Sequence, residues 1–504
     1  MISALCWIRR GVASENPKKY DIDEKEYERI QTLAAEELAR AQGELEEAQE
    51  ETGAEVEAAE KETVIDPELA EYDLENYDTP APEEEEGEEQ DVSIFGKVKG
   101  LTYYNSNKED PYITINDEED SEKEELQILP TDNLLLAAKT EDDISHMEIY
   151  VYEENEDNLY VHHDIMLPSF PLCLEWLDFK VGKQAGEGSG NFVAVGTFDP
   201  DIEIWDLDTV DSMYPDLILG NPDKKAKRGK KAKKVNPNYH TDAVMSLSWN
   251  KNHRNLLASS SADTTVKIWD LATASCVRSF DHHKDKVQTV MWHPVESTVM
   301  LTGGYDKVIA AFDSRSPESI STWTIESDVE CIRWDPFQPQ QFYVSTESGT
   351  VQCFDVRNPN TSALFTLHAH DSPVSAMDVN PVIPGLLVTG STDKVVKVWD
   401  IKENKPSMVT SRNLDVGKIF SATFCPDSAF QLGVAGSKGE VHIWDLATNP
   451  GVRRSFEGRG IAPGSEAVVE EKPTLTLPAD DSESEDDDEM EADVDDEDDE
   501  SMDI

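Results

Sequence analysis

Three residue types that could form a hydrolytic triad recur together in the second half of the chain. A hydroxyl residue follows a histidine by 19 positions and an aspartate follows it by 23, in three separate sets. These sets are His240, Ser259 and Asp263; His283, Thr302 and Asp306; and His370, Thr389 and Asp393. A catalytic triad activates one nucleophile and occurs once in an active site. Three copies at constant spacing indicate a structural role in a repeat, and we predict no catalytic residue.

The element that positions these residues is a repeated strand of the type VKIWD. Copies end at Asp206, Asp270, Asp313, Asp355, Asp400 and Asp445, and a degenerate copy ends at Glu153. From Trp269 onward the aromatic residues of the copies are separated by 43, 42, 45 and 45 residues. This is the period of a four-stranded propeller blade, and the seven copies predict seven blades.

A second series of alternating strands opens each repeat and ends on an aromatic or apolar residue. The start of the chain fits this series, since ISALCW ends at Trp7. Alternation is typical of strands with one packed face. We therefore expect Ile2–Arg9 to be the innermost strand of blade one, with partner strands near Asn133–Ala138 and Met147–Tyr152.

The repeats resemble those of the WD40 family, in which histidine, serine or threonine, aspartate and tryptophan form a hydrogen-bond chain within one blade. Two repeats match at every position, through His240, Ser259, Asp263 and Trp269, and through His370, Thr389, Asp393 and Trp399. Elsewhere Phe312 replaces the tryptophan, and Ser348 and Lys438 replace the aspartate. The predicted fold is all-β: a seven-bladed WD40 β-propeller with an acidic, largely disordered N-terminal insertion and C-terminal tail.

Charge divides the chain of 504 residues, whose formal net charge is −61. The stretch from Glu15 to Asp132 holds 40 acidic and 10 basic residues, and Asp480–Ile504 holds 17 acidic residues and no basic one. Such segments bury too little apolar surface to fold alone. We predict a strand in residues 1–12 that completes blade one, an acidic insertion at 13–132, a propeller at 133–460 and a disordered tail at 461–504.

Cysteine usage and hydropathy suggest an intracellular protein that does not span a membrane. The six cysteines lie far apart without a CxxC pair, which indicates neither a disulfide framework nor a zinc site. No apolar run approaches the roughly 18 residues of a membrane span. We predict no metal, cofactor or small-molecule substrate.

A basic segment lies between the second and third blades, in a loop predicted at 221–238. Its eight cations are Lys224, Lys225, Lys227, Arg228, Lys230, Lys231, Lys233 and Lys234. Three interpretations stay open: a nuclear or nucleolar targeting signal, contact with rRNA phosphates, or a solvated loop. The segment lacks aromatic residues, so any contact with RNA would not be sequence-specific.

The acidic segments carry further candidate features. Residues 24–50 have the spacing of a helix, either solvated or docked. Leu69, Tyr72, Leu74 and Tyr77 stand among acidic residues, which suits a linear motif that docks on a basic-rimmed groove, with an acidic linker as the alternative. Ser482 and Ser484 precede acidic residues by three positions and are candidate phosphorylation sites.

Segments along nearly the whole chain, some of them outside the repeats, resemble the periodic tryptophan protein 1 family, and its fungal members most closely. These segments include ALCWIRRGVA, LAEYDLENYD, DPYITI, YVHHDIMLP and EIWDLDTVD. The resemblance implies a nucleus- and nucleolus-located assembly factor for the large ribosomal subunit. Such a factor supports processing of precursor rRNA and binds that rRNA and other assembly proteins. The alternative is a histone-binding chromatin protein acting at rRNA genes, since animal members are implicated there.

Overall fold

Seven small antiparallel sheets follow one another along the chain in the computed structural model. The structure describes residues 1–20, 126–182, 188–220, 236–359, 362–459 and 472–477. The fold is thus a seven-bladed β-propeller, as the repeat period predicts.

Within each blade, the strands pair one after another from the inner strand outward. Blade one has β1 (Ile2–Ile8), β3 (Asn133–Glu141), β4 (Ile144–Glu153) and β5 (Asn158–Leu167). Blade two has β6 (Pro171–Leu177), β7 (Phe192–Thr197), β8 (Ile202–Asp206) and β10 (Leu217–Leu219). Blade three has β11 (Val244–Trp249), β12 (Leu256–Ser261), β13 (Val266–Asp270) and β14 (Ser275–Phe280). Blade four has β15 (Val287–Trp292), β16 (Val299–Gly304), β17 (Val308–Asp313) and β18 (Ser316–Thr324).

The remaining blades follow the same pattern. Blade five has β19 (Val329–Trp334), β20 (Gln341–Thr346), β21 (Thr350–Asp355) and β22 (Phe365–His368). Blade six has β23 (Ala376–Val379), β24 (Leu386–Gly390), β25 (Val395–Lys402) and β26 (Lys405–Asn413). Blade seven has β27 (Ile419–Phe424), β28 (Gln431–Gly436) and β29 (Val441–Asp445). Outside the blades, β2 (Lys18–Lys19) pairs in parallel with β9 (Thr209–Val210), and one α-helix among the described residues, α1, spans Pro450–Ser455.

The first strand of every blade lines a central channel. Each of these inner strands contacts the inner strand of the next blade, and β27 contacts β1, so the ring is closed. Because strands within a blade alternate in direction, all loops between first and second strands emerge at one end of the channel. We call that end the lower face and the opposite end the upper face.

Packing between neighbouring blades forms the core. Successive residues of a strand point to opposite faces of its sheet, and in blade one both faces are covered. Leu136 packs in the cluster shared with blade two, and Leu135 in the cluster shared with blade seven. A sheet buried on both faces needs apolar residues at consecutive positions, which explains the apolar run at residues 134–138. No blade could bury both faces alone, so ring closure stabilises all of them.

Both ends of the acidic insertion predicted at 13–132 pack on the propeller. The backbone N–H of Ile128 donates to the carbonyl of Glu15 at 3.1 Å, and the Ile128 side chain is buried. Farther along, Lys18–Lys19 pairs with a strand of blade two. The parts through residue 20 and from residue 126 therefore pack on the propeller. Residues 21–125 lie outside the described residues.

The C-terminal part also departs from the prediction, which had residues 461–504 as a disordered tail. Leu475 forms a reciprocal pair of backbone hydrogen bonds with Ile443 of β29, at 2.8 and 2.9 Å. Leu475 and Leu477 pack against the cluster between blades seven and one. The segment 472–477 thus occupies the place of a fourth strand in blade seven, because the outer edge of β29 otherwise has unpaired backbone groups.

All six cysteines are free thiols. Among the described helices, none combines the length and apolar character needed to cross a membrane.

Candidate binding surface

The structure brings His240, Ser259, Asp263 and Trp269 together in blade three. Nδ1 of His240 lies 3.0 Å from the Asp263 carboxylate, and Nε2 lies 2.7 Å from the Ser259 hydroxyl. The Trp269 indole donates to that hydroxyl at 2.8 Å. A carboxylate only accepts, so Nδ1 must donate and Nε2 accepts from the serine. This chain of hydrogen bonds fastens the loop that precedes blade three to the second and third strands of that blade.

Burial separates this set from a hydrolase site. The Ser259 side chain has no exposed surface, so no substrate can reach the hydroxyl. Burial lowers the pKa of His240 and keeps the ring neutral. Burial is the largest single influence and would raise the pKa of Asp263, but hydrogen bonds from His240, Thr265 and the Thr241 backbone together outweigh it, and the pKa is lowered. The set is a satisfied structural network.

Blade six contains the same arrangement. His370 Nδ1 lies 2.8 Å from Asp393, and Nε2 lies 2.9 Å from Thr389, whose hydroxyl accepts from the Trp399 indole at 2.9 Å. Burial lowers the pKa of His370. Two blades thus share one network at equivalent positions, as expected of a structural repeat.

Blade four shows how a blade compensates for the missing indole. His283 contacts Asp306 at 3.0 Å and Thr302 at 2.8 Å, as in the other two sets. At the place of the tryptophan, Phe312 offers no donor, and His282 approaches the Thr302 hydroxyl at 3.2 Å instead. The His282 ring also packs edge-on against Phe312 at 4.8 Å. The neighbouring histidine therefore supplies the second partner of this hydroxyl.

Blades five and seven replace the aspartate, and their networks differ. Ser348 lies 3.0 Å from the hydroxyl of Thr346, within a cluster of hydroxyl groups. Lys438 forms an exposed ion pair with Asp415 at 2.9 Å. Neither residue reaches a buried histidine, so packing between blades holds these two sheets.

Several features predicted from the sequence lie outside the described residues. These are the eight cations of the basic segment at Lys224–Lys234, the helical stretch 24–50, the motif at 69–78, and Ser482 and Ser484. The strands on either side of the basic segment, β10 and β11, are described. The segment connects the last strand of blade two to the first strand of blade three, which places both of its attachment points on the upper face.

A cavity of about 420 Å³, which was not predicted from the sequence, lies at the lower mouth of the channel. Tryptophans and charged residues at the ends of the inner strands line it. The charged residues are Arg9, Glu175, Asp178, Lys251, Arg333 and Asp378. A sequence signal for this mouth exists. The inner strands β6, β19 and β23 have a charged residue directly before their aromatic or apolar end residue, in the pairs EW, RW and DV.

The carboxylates at this mouth are engaged within the ring. Glu175 accepts from the backbone N–H of Trp249 at 3.0 Å, in the next blade. Asp378 accepts from Arg333 at 3.2 Å and from the N–H of Phe424 at 2.9 Å. Burial raises the pKa of both carboxyl groups. These side chains join neighbouring blades.

A repeated turn shapes the lower face beside the mouth. In blade four, the His293 ring accepts from the backbone N–H groups of residues 295 and 296 at 3.1 and 2.8 Å. In blade five, the Asp335 carboxylate accepts from residues 337 and 338 at 2.8 and 3.0 Å. In blade six, the side-chain amide oxygen of Asn380 accepts from the backbone N–H groups of residues 382 and 383 at 2.9 and 2.7 Å. Each turn holds the residue two positions after its acceptor at the surface.

Comparisons with known proteins extend over the same ring and beyond it. A family model described as "Nucleolar protein 10-like, N-terminal domain" matches residues 227–450. An uncharacterized WD repeat-containing protein of Schizosaccharomyces pombe is 47% identical over 475 residues, covering 91% of each chain. Periodic tryptophan protein 1 of Saccharomyces cerevisiae is 40% identical over 520 residues, covering 91% of this chain and 90% of its own. The Drosophila melanogaster homolog is 33% identical over 461 residues, covering 90% and 96%.

Proposed function

Because the chain belongs to the periodic tryptophan protein 1 family of WD-repeat proteins, we propose that it is a non-enzymatic assembly factor for the large ribosomal subunit. In this role the propeller is a nucleolar binding platform that supports processing of precursor rRNA. Its partners are other ribosome-assembly proteins and the precursor rRNA itself. One observation carries the proposal: similarity covers 91% of this chain and 90% of the yeast protein, so it includes sequence outside the blades.

The geometry of the ring supports binding as its mode of action. The polar sets that could suggest hydrolysis are sealed within blades three, four and six, where they satisfy one another. Exposed cations and apolar side chains instead occur on loops at the lower mouth of the channel, among them Lys251 and Phe337. Loops presented by a rigid scaffold are where binding residues concentrate.

The charged segments supply the remaining parts of the proposal. The basic segment Lys224–Lys234 directs the chain to the nucleus and nucleolus and contacts rRNA phosphates, in agreement with the word nucleolar in the matching family model. The acidic tail binds basic ribosomal proteins, and phosphorylation at Ser482 and Ser484 increases its negative charge.

Histone binding at rRNA genes is the second candidate. The observation that favours it is the acidic segment Asp480–Ile504, with 17 acidic residues and no basic one. Histones are basic, so this segment would shield them by charge complementarity.

Sedimentation distinguishes the two candidates. The tag is placed after Ile504, because the N-terminal amine donates a hydrogen bond to the Thr140 carbonyl at 2.5 Å, at the upper end of the inner strand. We expect the tagged protein to co-migrate with large-subunit precursors and its depletion to lower mature large-subunit rRNA. Recovery with histones, and unchanged rRNA after depletion, would instead support the chromatin role.

A further inference from the structure

The lower face of blades four to six exposes a row of apolar side chains at equivalent positions. Val295, Phe337 and Val382 are 65%, 42% and 49% exposed. Each stands two residues after the acceptor of the repeated turn, directly after a proline. The three turns carry a single exposed charged side chain, Glu296. Single exposed apolar residues are ordinary, but three in successive blades at one turn position are a repeated feature of this face.

The other side of the same mouth is basic. Blade three has the same turn, since Asn250 accepts from residues 252 and 253 at 3.1 and 2.9 Å, but Lys251 occupies the place of the proline. Arg9 follows the inner strand of blade one. Both cations line the cavity and are exposed, and neither has a hydrogen-bond or ion-pair partner among the described residues.

The carboxylates nearby form no hydrogen bond or ion pair with these two cations among the described residues, although the charge of Lys251 partly offsets the rise in the pKa of Glu175 on burial. Asp178 is held by Arg254 at 2.7 Å, while Glu175 accepts from a backbone N–H and Asp378 pairs with Arg333. Arg9 and Lys251 thus remain available to an external anion, in a chain whose net charge is −61. The lower face thus carries two cations that line a cavity of about 420 Å³ and, on the turns of blades four to six outside that lining, the apolar row.

We propose that this surface, the lower-face groove, binds an acidic segment of another protein that carries large apolar side chains. The carboxylates of such a segment pair with Arg9 and Lys251, and its leucine or tyrosine side chains cover the apolar row. RNA fits less well, because a phosphodiester backbone would leave Val295, Phe337 and Val382 against charged groups. This partner class goes beyond the rRNA and basic proteins of the proposed function.

A peptide of the required chemistry is available in the chain itself. Residues 67–80, PELAEYDLENYDTP, combine five carboxylates with Leu69, Tyr72, Leu74 and Tyr77. The fluorescent peptide is titrated with the full chain and followed by anisotropy. The control peptide replaces its leucines and tyrosines with serine, and labelled oligouridine is the RNA probe. We expect binding of the first peptide, at least tenfold weaker binding of the serine peptide, and no competition by oligouridine.

Two groups of variants test the two halves of the groove. Arg9→Glu with Lys251→Glu should weaken peptide binding at least tenfold and flatten its salt dependence, because the ion pairs are lost. Val295→Ser, Phe337→Ser and Val382→Ser together should weaken it by a similar factor. The matched control is Lys284→Glu with Lys286→Glu, two exposed cations on the upper face. All variants should keep the melting temperature of the parent, since every substituted side chain is exposed.

The chain's own copy of the motif could compete with the peptide. A full chain with Leu69, Tyr72, Leu74 and Tyr77 replaced by serine removes that competitor. If the peptide binds both the parent chain and this serine variant, the groove is free. If the peptide binds the serine variant alone, the motif of the parent chain occupies the groove. Only the first result supports an external partner; the second would overturn it, because the groove would then hold a segment of this chain. Equal affinity for all groove variants, displacement by oligouridine, or no binding to either chain overturns the proposal. Since purified components are used, this outcome is independent of the sedimentation experiment.

Discussion

The indole nitrogen of Trp7 donates a hydrogen bond to the backbone carbonyl of Thr423 at 3.1 Å, across the junction of the first and last blades. The backbone N–H of Leu5 makes a second contact there, to the hydroxyl of Ser421 at 3.1 Å. Residues 416 positions apart are thereby neighbours. The N-terminal strand closes the ring because it belongs to blade one by backbone pairing and to blade seven by side-chain contact.

Deletion of Met1–Val12 should open this junction. The edge of β3 would lose its partner, and unpaired edges promote aggregation. We expect loss of the cooperative thermal transition and of a monodisperse peak in size-exclusion chromatography. Trp7→Phe should be milder and cost about 0.5–1.5 kcal/mol, the usual net value of one hydrogen bond. An unchanged melting temperature of the deletion variant would contradict the role of β1.

Removal of an aspartate should matter only where it reaches a buried histidine. Asp393→Ala leaves the His370 Nδ1 donor without its partner at 2.8 Å. A buried donor without a partner costs roughly 1–3 kcal/mol. Lys438→Ala, at the equivalent position of blade seven, removes only an exposed pair and should leave stability unchanged. Urea melts of both variants test this difference, and equal shifts would count against it.

Two C-terminal truncations separate the ordered segment from the acidic tail. A chain ending at Leu477 keeps the strand-like segment 472–477, including the ion pair of Lys472 with Asp157 at 2.5 Å. It should melt like the full chain. A chain ending at residue 460 exposes the edge of β29 and uncovers apolar surface, at a cost of roughly 1–3 kcal/mol. Identical melting of the two truncated chains would mean that the segment contributes nothing.

Two histidines should make the fold less stable in mild acid. Burial lowers the pKa of His163 to about 4 and that of His282 to about 4. A histidine in the unfolded chain has a pKa of about 6.5. At pH values between that pKa and the lowered pKa of the folded state, the unfolded chain binds more protons than the folded one. The free energy of unfolding therefore falls as pH drops through this window, by at most about 1.4 kcal/mol per pH unit and histidine, and by less for the partly exposed His282.

The double variant His163→Gln and His282→Gln should lose this dependence. The difference in unfolding free energy between parent and variant is measured at pH 7, 6 and 5, so that other titrating groups cancel. His253→Gln is the control, since this side chain is exposed. A parent-to-variant difference that is constant with pH would show that neither histidine is held neutral.

The basic segment is tested by replacing its eight cations with glutamine and serine, with a foreign nuclear import signal attached. Full rescue of rRNA accumulation would indicate a targeting role alone. We expect partial rescue, with precursor-rRNA binding still weak and its log–log salt slope flatter by about 0.7–0.9 for each lost phosphate contact. If the substituted chain without the foreign signal keeps the localisation and the salt slope of the parent chain, the segment has neither role.

The sequence alone determined the propeller, because each blade repeats the same local pattern. The spacing from Trp269 to Trp444 gives the repeat length, the seven copies of the repeated strand count the blades, and the alternation in ISALCW marks a strand that the structure pairs with Asn133–Glu141. Hydrogen-bond partners at fixed offsets, such as His370 and Asp393, are also readable from sequence. Such features follow from backbone periodicity, which every copy of the repeat displays.

Only the tertiary structure decided which distant residues meet. The alternation in Lys472–Leu477, KPTLTL, is strand-like but too short to identify a partner, because so short a strand gains stability from the edge it joins rather than from its own propensity. The lower-face groove has the same origin. Arg9, Lys251 and Phe337 lie in three different blades, and ring closure, driven by burial of both faces of every sheet, brings them to one mouth of the channel.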